Sequence, residues 1–327
     1  MQGMQSTEQI ISKETLVDPS DELFVGLNRP NKRIDQKFHY NEYGSALFGK
    51  ITALPEYYLT RTESLLLQRH SEEIAQYMGA GQMLIEHGAG NCGKVRHLLA
   101  PLQPQCYVPI DISAEFLFQS ACHLQQDFSE LYIHPIAGDI TTSSQLPEHY
   151  RKLKKCVLYL GSSIANYPPE QAITILRQIH QLIAPSGGLL IGVDLQKDTS
   201  ILQQAYNDEQ GLVADFNLNA LQHANELLDG NFDQDLFDHV AFYNEDKQRI
   251  EMHLQSSVDH EVELLGQTIP IRAGERIQTL QSYKYTVESF AALAQQAGLI
   301  PVKQWIDEQQ LYSLQYFSSP QSPESTR

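Results

Sequence analysis

Six residues of this chain stand in a pattern that could hold a nucleotide-like ligand: Gly88, Gly90, Gly93, Lys94, Asp111 and Asp139. The stretch MLIEHGAGNCGKV, Met83 to Val95, reads as a short apolar strand, a glycine-rich turn and the start of a helix. Glycines let a ligand approach the backbone closely, and the N–H groups of a following helix face it. Lys94 falls in the first turn of that helix, where Val95, Leu98 and Leu99 set the apolar spacing. G-x-G-x-x-G spacing by itself also serves tight strand-to-helix turns that bind nothing. Its weight rises with a second strand, CYVPID, whose last residue is Asp111. An acid at a strand end about 20 residues past the loop is placed to take a ribose diol. A third strand leads to Gly138-Asp139-Ile140 and sets Asp139 to reach an adenine amino group.

These side chains need a scaffold of alternating strands and helices. Strands are expected at 106–111, 132–136, 156–160 and 188–194, with helices near 113–126 and 169–184. Ala172, Ile175, Leu176, Ile179, Leu182 and Ile183 make one apolar helical face, ended by Pro185 and Gly187. The following GLLIGVD is an uninterrupted apolar strand, as in a sheet covered on both faces. Thr60 and Glu63 have capping-box spacing and open a helix through about Met78. The fold class is α/β, a doubly wound sheet with helices on both sides.

After Lys197 the rhythm changes. Residues 198–236 read as polar helix, and 238–285 as strands in HVAFYN, QRIEMHLQSSVDH and ERIQTLQSYKY. The helical VESFAALAQQAG and the strands PVKQWID and LYSLQYF then return to the first sheet. One domain is therefore expected from 61–197 with 286–318. A second, α+β domain is expected from the aromatic-rich 20–60 with 198–285. Residues 1–19 and the Ser/Pro-rich 319–327 are expected to be disordered.

Composition narrows the function classes. A chain of 327 residues is long enough for one large or two ordinary cores. A formal charge of −17 with no basic run opposes nucleic acid and anionic membranes as partners, since both need clustered Lys and Arg. Cys92, Cys106, Cys122 and Cys156 show neither CxxC nor CxxH spacing, so no zinc site or thiol redox pair is expected. The first residues lack a hydrophobic signal core, and no apolar run reaches membrane-span length. A cytoplasmic monomer is the expectation.

The stretches ALPEYYLTRTE, YVPIDIS, LGSSIANYPPE, GVDLQKD, AYNDEQGLVADFNLN, AFYNEDKQRIEMHL and AGERIQTLQSYKYT occur here in this order. Together they resemble the histidine Nα-methyltransferases of ergothioneine biosynthesis, over roughly Phe38 to Phe317. The resemblance implies a Rossmann-like domain for S-adenosyl-L-methionine (SAM) and an added domain that builds an amino-acid pocket. By the same resemblance, Gly88, Lys94, Asp111 and Asp139 match positions of the SAM site, beside Gly90 of the loop. Tyr57, Asn166, Tyr206 and Ser282 match acceptor-site positions, Met252 a residue beside the side-chain pocket, and Tyr40 a tyrosine near the reacting amine. His87 replaces a usually apolar residue and reads as a satisfied structural histidine.

Each acceptor-site residue also has a plainer use. Tyr57 beside Pro55 could pack between domains, Asn166 could cap the next helix, and Tyr206 could be core. One departure bears on substrate. Histidine-specific relatives read T-E-x-S where this chain reads Thr279-Leu280-Gln281-Ser282, so Leu280 stands in place of the acid that contacts the imidazole. Losing such a hydrogen-bond partner costs ~1–3 kcal/mol. Histidine could still be held through Ser282 or Gln281, and an apolar or aromatic amino acid competes with it as acceptor. A non-catalytic protein that binds SAM and an amino acid has the same sequence features. A nucleic-acid amino-methyltransferase does not fit, because Asn166-Tyr167-Pro168-Pro169 holds its loop residues in the wrong order.

Overall fold

The computed structural model describes residues 19–138 and 146–319. Asp139 lies outside the described residues, as do both ends expected to be disordered, except Pro19, which opens the first helix, and Ser319, which is buried. In chain order the helices are α1 (Pro19–Leu27), α2 (Glu42–Ile51), α3 (Tyr58–Met78), α4 (Arg96–Leu102) and α5 (Ala114–Asp127). They continue with α6 (Pro169–Ile183), α7 (Thr199–Gln204), α8 (Leu212–Leu228) and α9 (Val287–Gln296).

Strands β1 (Met83–His87), β2 (Cys106–Asp111), β3 (Tyr132–Ile133), β4 (Ile136–Ala137), β5 (Lys155–Tyr159) and β6 (Gly188–Asp194) pair in parallel. Next come β7 (Phe237–Asn244) and β8 (Arg249–Ser256), the hairpin of β9 (His260–Leu264) and β10 (Gln267–Ile271), and β11 (Arg276–Tyr283). The antiparallel pair β12 (Ile300–Ile306) and β13 (Tyr312–Ser318) completes the first sheet beside β6. The order across that sheet is β12-β13-β6-β5-β1-β2-β3, with β4 also on β2, a Rossmann-like α/β arrangement.

Both faces of this sheet are covered, which is why β1, β5 and β6 are buried along nearly their whole length and mostly apolar, with polar residues only at their ends. Leu84 joins the core under α3 and α4, while Met83 and Ile85 join the core under α6 and α9, as strand alternation requires. Sequence order runs outward in opposite directions from β1 and β5. Strand ends at such a reversal open into a crevice, the usual place for a ligand in these sheets. A second sheet, β11-β8-β7, packs beneath α1 and α8 through Leu23, Leu27, Ala220, Leu221, Leu254 and Ile277.

Four local expectations need correction. The strand expected at 132–136 is two short pieces, β3 and β4, with His134 and Pro135 between them. Ser257 to Asp259 do not continue β8, and the β9–β10 hairpin was not legible, because Leu265 rather than Asn or Asp takes the left-handed turn position before Gly266 (φ +51° and +71°). The Thr60–Glu63 capping box does not form: α3 starts at Tyr58 with no side-chain cap, and Glu63 turns into the core. His87 is buried and neutral, its value lowered by burial to about 4, but Nδ1 has no hydrogen-bond partner among the described residues.

Candidate active site

A cavity of about 840 Å³ opens at the crevice between the ends of β1 and β5. Its inner end is the glycine loop. Gly88 and Gly90 take φ values of +68° and +52°, which L side chains rarely adopt, and a Cβ on Gly90 would meet only open space. The N–H groups of Gly88 and Ala89 are tied to the carbonyl of Ile110, so β2 holds the loop from below. Asp111 finishes this brace. One carboxylate oxygen accepts the N–H of Gly90 at 2.9 Å and the other the N–H of Ser113 at 3.0 Å. Each oxygen keeps a lone pair for a further donor.

Lys94 lines the same end, but not from the first helical turn: α4 begins only at Arg96, and Lys94 belongs to the preceding turn. Its ammonium lies 2.5 Å from Glu63. Glu63 is wholly buried and also accepts the N–H of Gly161 (2.8 and 2.9 Å to its two oxygens) and the hydroxyl of Tyr312 (2.8 Å). Glu86, at the end of β1, faces the cavity too and accepts the hydroxyl of Tyr107. Burial drives its value up to about 7, against the opposing hydrogen bond from Tyr107 and the charge of Lys94. These groups suit SAM: an open carboxylate for a diol, an ammonium for a carboxylate, and an unobstructed backbone at Gly90.

The other end of the cavity is aromatic. Tyr40 meets Phe48 and Phe216 edge-on at 5.6 and 5.3 Å between ring centres, and Tyr57 meets Phe48 at 6.1 Å and Tyr206 at 6.4 Å. Burial raises the values of the Tyr40 and Tyr57 phenols above their ordinary range, so both stay neutral. Phe48 and Phe216 were not singled out from sequence, because single phenylalanines on apolar helix faces look like core.

Asn166 ends a short helical turn that follows β5, after Gly161 and Ser162 at positive φ. It lines the cavity and does not cap α6, whose N-cap is Pro168. Met252, Leu280 and Ser282 come from the second sheet. A bulge at Thr279 shifts the register so that Leu280 pairs with Met252 across β8 and β11. Gln281 points elsewhere, accepting from Arg249 at 2.5 Å and donating to the carbonyl of Asn166 at 3.3 Å, so it does not line this cavity as expected. Strand alternation is the reason, since Leu280 and Ser282 share a face that excludes the residue between them.

Behind this wall lies a charged cluster with no counterpart in the sequence reading. Asp194 at the end of β6 is paired with Lys284 at 2.6 Å and Lys197 at 2.5 Å, and accepts the hydroxyl of Tyr58 at 2.7 Å. Burial favours a neutral Asp194, but the two ammonium groups outweigh it and hold its value below the ordinary carboxylate range. The only sequence signal is an Asp and a Lys at apolar strand ends.

Apart from Asp139, which lies outside the described residues, and Gln281, which points away, the site residues expected from sequence line one cavity: Gly88, Gly90, Gly93, Lys94 and Asp111 at one end; Tyr40, Tyr57, Asn166, Tyr206, Met252, Leu280 and Ser282 at the other. No cluster of metal-ligating side chains exists among the described residues, and no described helix is long and apolar enough to cross a membrane.

Residues 20–319 match a family described as histidine-specific methyltransferase, SAM-dependent. A histidine N-alpha-methyltransferase of Mycobacterium tuberculosis is 35% identical over 293 residues, covering 88% of this chain and 90% of that protein. Ergothioneine biosynthesis protein 1 of Neurospora crassa is 34% identical over 81% of this chain but 31% of its own length. An L-tryptophan methyltransferase of Psilocybe serbica is 24% identical, over 89% of this chain and 90% of its own. With a family match over nearly the whole length and relatives above 30% identity, this chain belongs to the SAM-dependent, histidine-specific methyltransferase family.

Proposed function

We propose that this enzyme methylates the α-amino nitrogen of a free amino acid: histidine, giving its trimethyl betaine as in ergothioneine biosynthesis, or an aromatic or apolar amino acid. The observation that supports this reading is the single cavity joining a glycine loop and strand-end acid to a wall of neutral aromatic rings. SAM, when bound, supplies a methyl group on a positively charged sulfur. In this reading Gly88, Gly90, Lys94 and Asp111 hold the donor, with Asp139 at the adenine, and segments 20–60 and 198–285 build the acceptor end.

Asn166, Tyr57 and Tyr206 would hold the acceptor's carboxylate and orient its amine toward the donor, so that a fixed approach lowers the barrier. The faces of Tyr40 and Tyr57 favour a cationic ammonium product. Neither phenol is a suitable base, because burial holds both protons in place, so the amine's proton passes to water. Turnover with SAM and a panel of free amino acids tests the reading. Binding of both ligands without product would leave only a binding protein of this fold.

Removing the Asp111 carboxylate should weaken the donor end specifically. Two charge-assisted hydrogen bonds are worth ~1.5–3 kcal/mol each, so Asp111→Ala should lower affinity for S-adenosylhomocysteine by roughly 100-fold or more in calorimetry. Unchanged affinity would mean that this strand end does not touch the ligand.

Leu280 sets the side-chain preference in this proposal. Against Met252 it offers apolar surface, worth roughly 1.5–3 kcal/mol for a side chain buried on it. That is comparable to the imidazole contact forgone, ~1–3 kcal/mol. Leu280→Glu should therefore raise the specificity constant for histidine, relative to tryptophan, tyrosine and leucine, by about tenfold or more. If wild type already strongly prefers histidine and the ratio does not move, residue 280 does not read the side chain.

A further inference from the structure

We infer that Lys284 is a positioning residue that fixes the direction of two hydroxyl groups, Ser282 and Tyr206, and aims their hydrogens into the acceptor end of the cavity. This rests on the function proposed above and adds a residue that does not itself line the cavity. The Lys284 side chain is fully buried and donates to Ser282 Oγ at 2.8 Å and to Tyr206 Oη at 3.4 Å. An ammonium carries donors only, so both oxygens must act as acceptors toward it. Each hydroxyl has one hydrogen, and that hydrogen must point away from Lys284. Among the described residues neither Ser282 nor Tyr206 donates to a protein oxygen, while both line the cavity.

The charge on Lys284 is secured from behind. Burial alone would lower its value, but Asp194 at 2.6 Å, together with Tyr206, raises it overall. Asp194 in turn is held by Lys197 and Tyr58, so the cluster is anchored to β6 and α3 rather than to the acceptor wall. The consequence is a defined polarity. Tyr206 presents an O–H to a carboxylate, and Ser282 presents an O–H to a lone pair on the acceptor's side chain, such as an imidazole nitrogen, a hydroxyl or an amide oxygen. A side chain of hydrocarbon only would leave the buried Ser282 hydroxyl unsatisfied, which offsets part of the apolar gain from Leu280.

The test is steady-state kinetics on Lys284→Met, with S-adenosylhomocysteine calorimetry as the check that the donor end is intact. Lys197 still pairs with Asp194 in this variant. The KM of the wild type's best amino acid should rise about 10- to 100-fold with kcat changed only a few-fold, as expected for two hydrogen bonds. The same change made in a Ser282→Ala, Tyr206→Phe background should add less than about twofold, because nothing remains for Lys284 to orient. Lys284→Gln, which keeps an N–H donor without charge, should recover part of the loss and also serves if the Met variant does not fold. Equal penalties in both backgrounds, a parallel loss of donor affinity, or a Gln variant no better than Met would overturn the inference. Absence of wild-type turnover on any amino acid would instead overturn the proposed function.

Discussion

Glu63→Ala should cost this protein roughly 3–5 kcal/mol of stability, because the Gly161 N–H and the buried Tyr312 hydroxyl lose their acceptor together and the partly exposed Lys94 loses its ion-pair partner. The carboxylate receives the Gly161 N–H, the Tyr312 hydroxyl and the Lys94 ammonium, and its own exposure is 0%. The fold makes room for it: a Cβ on Gly192 of β6 would lie 2.0 Å from a Glu63 oxygen. For a chain of this size the melting temperature should fall by roughly 5–15 °C. Donor affinity should fall as well, because Lys94 and the Gly161 loop both border the cavity. Glu63→Gln keeps the volume and one acceptor, and should lie between wild type and Ala. Calorimetric melting with S-adenosylhomocysteine titration at low temperature checks both effects. A melting temperature within a degree of wild type would refute the account of Glu63 as the hub of this cluster.

The second large effect is a pH dependence at Glu86. Its carboxyl moves from an ordinary value of 4.5 up to about 7 on folding, chiefly because burial penalises the charged form. Between those values the folded chain keeps a proton that the unfolded chain has released. Stability from this group is therefore full below about pH 4.5 and is lost as pH rises to about 7, in total roughly 3 kcal/mol. Glu86→Gln mimics the protonated form and can still accept from Tyr107. Denaturant unfolding should show the two proteins nearly equal near pH 4.5 and the Gln variant more stable by about 3 kcal/mol near pH 8. Comparison of variant with wild type also cancels the opposite trend of His87, held neutral to about pH 4. A gap that stays constant with pH would show that Glu86 ionises normally.

Sequence by itself determined the sheet and the loop that defines its functional end. The apolar runs of β1, β5 and β6, the amphipathic α6 and the glycine turn are local patterns, each set by residues within a few positions of one another. Asp111 was legible for the same reason, since its distance from the glycine loop is fixed by one helix and one strand. The residues proposed for the acceptor end were legible only through resemblance, because a tyrosine on a helix or an asparagine after a strand has no local pattern that distinguishes ligand contact from packing.

Tertiary structure alone decided the placement and partners of Glu63, Lys284 and Gln281. Glu63 sits three residues after Thr60 and reads as a helix cap, yet its partners come from positions 94, 161 and 312. Lys284 looks like a strand-end surface lysine until Asp194, 90 residues earlier, supplies the charge that lets it stay buried. Gln281 leaves the pocket because a bulge and the period of the strand turn its neighbours inward instead. Burying a charge is tolerable only when its partners are already in place, and those partners are brought together by packing between distant segments, which spacing along the chain does not encode.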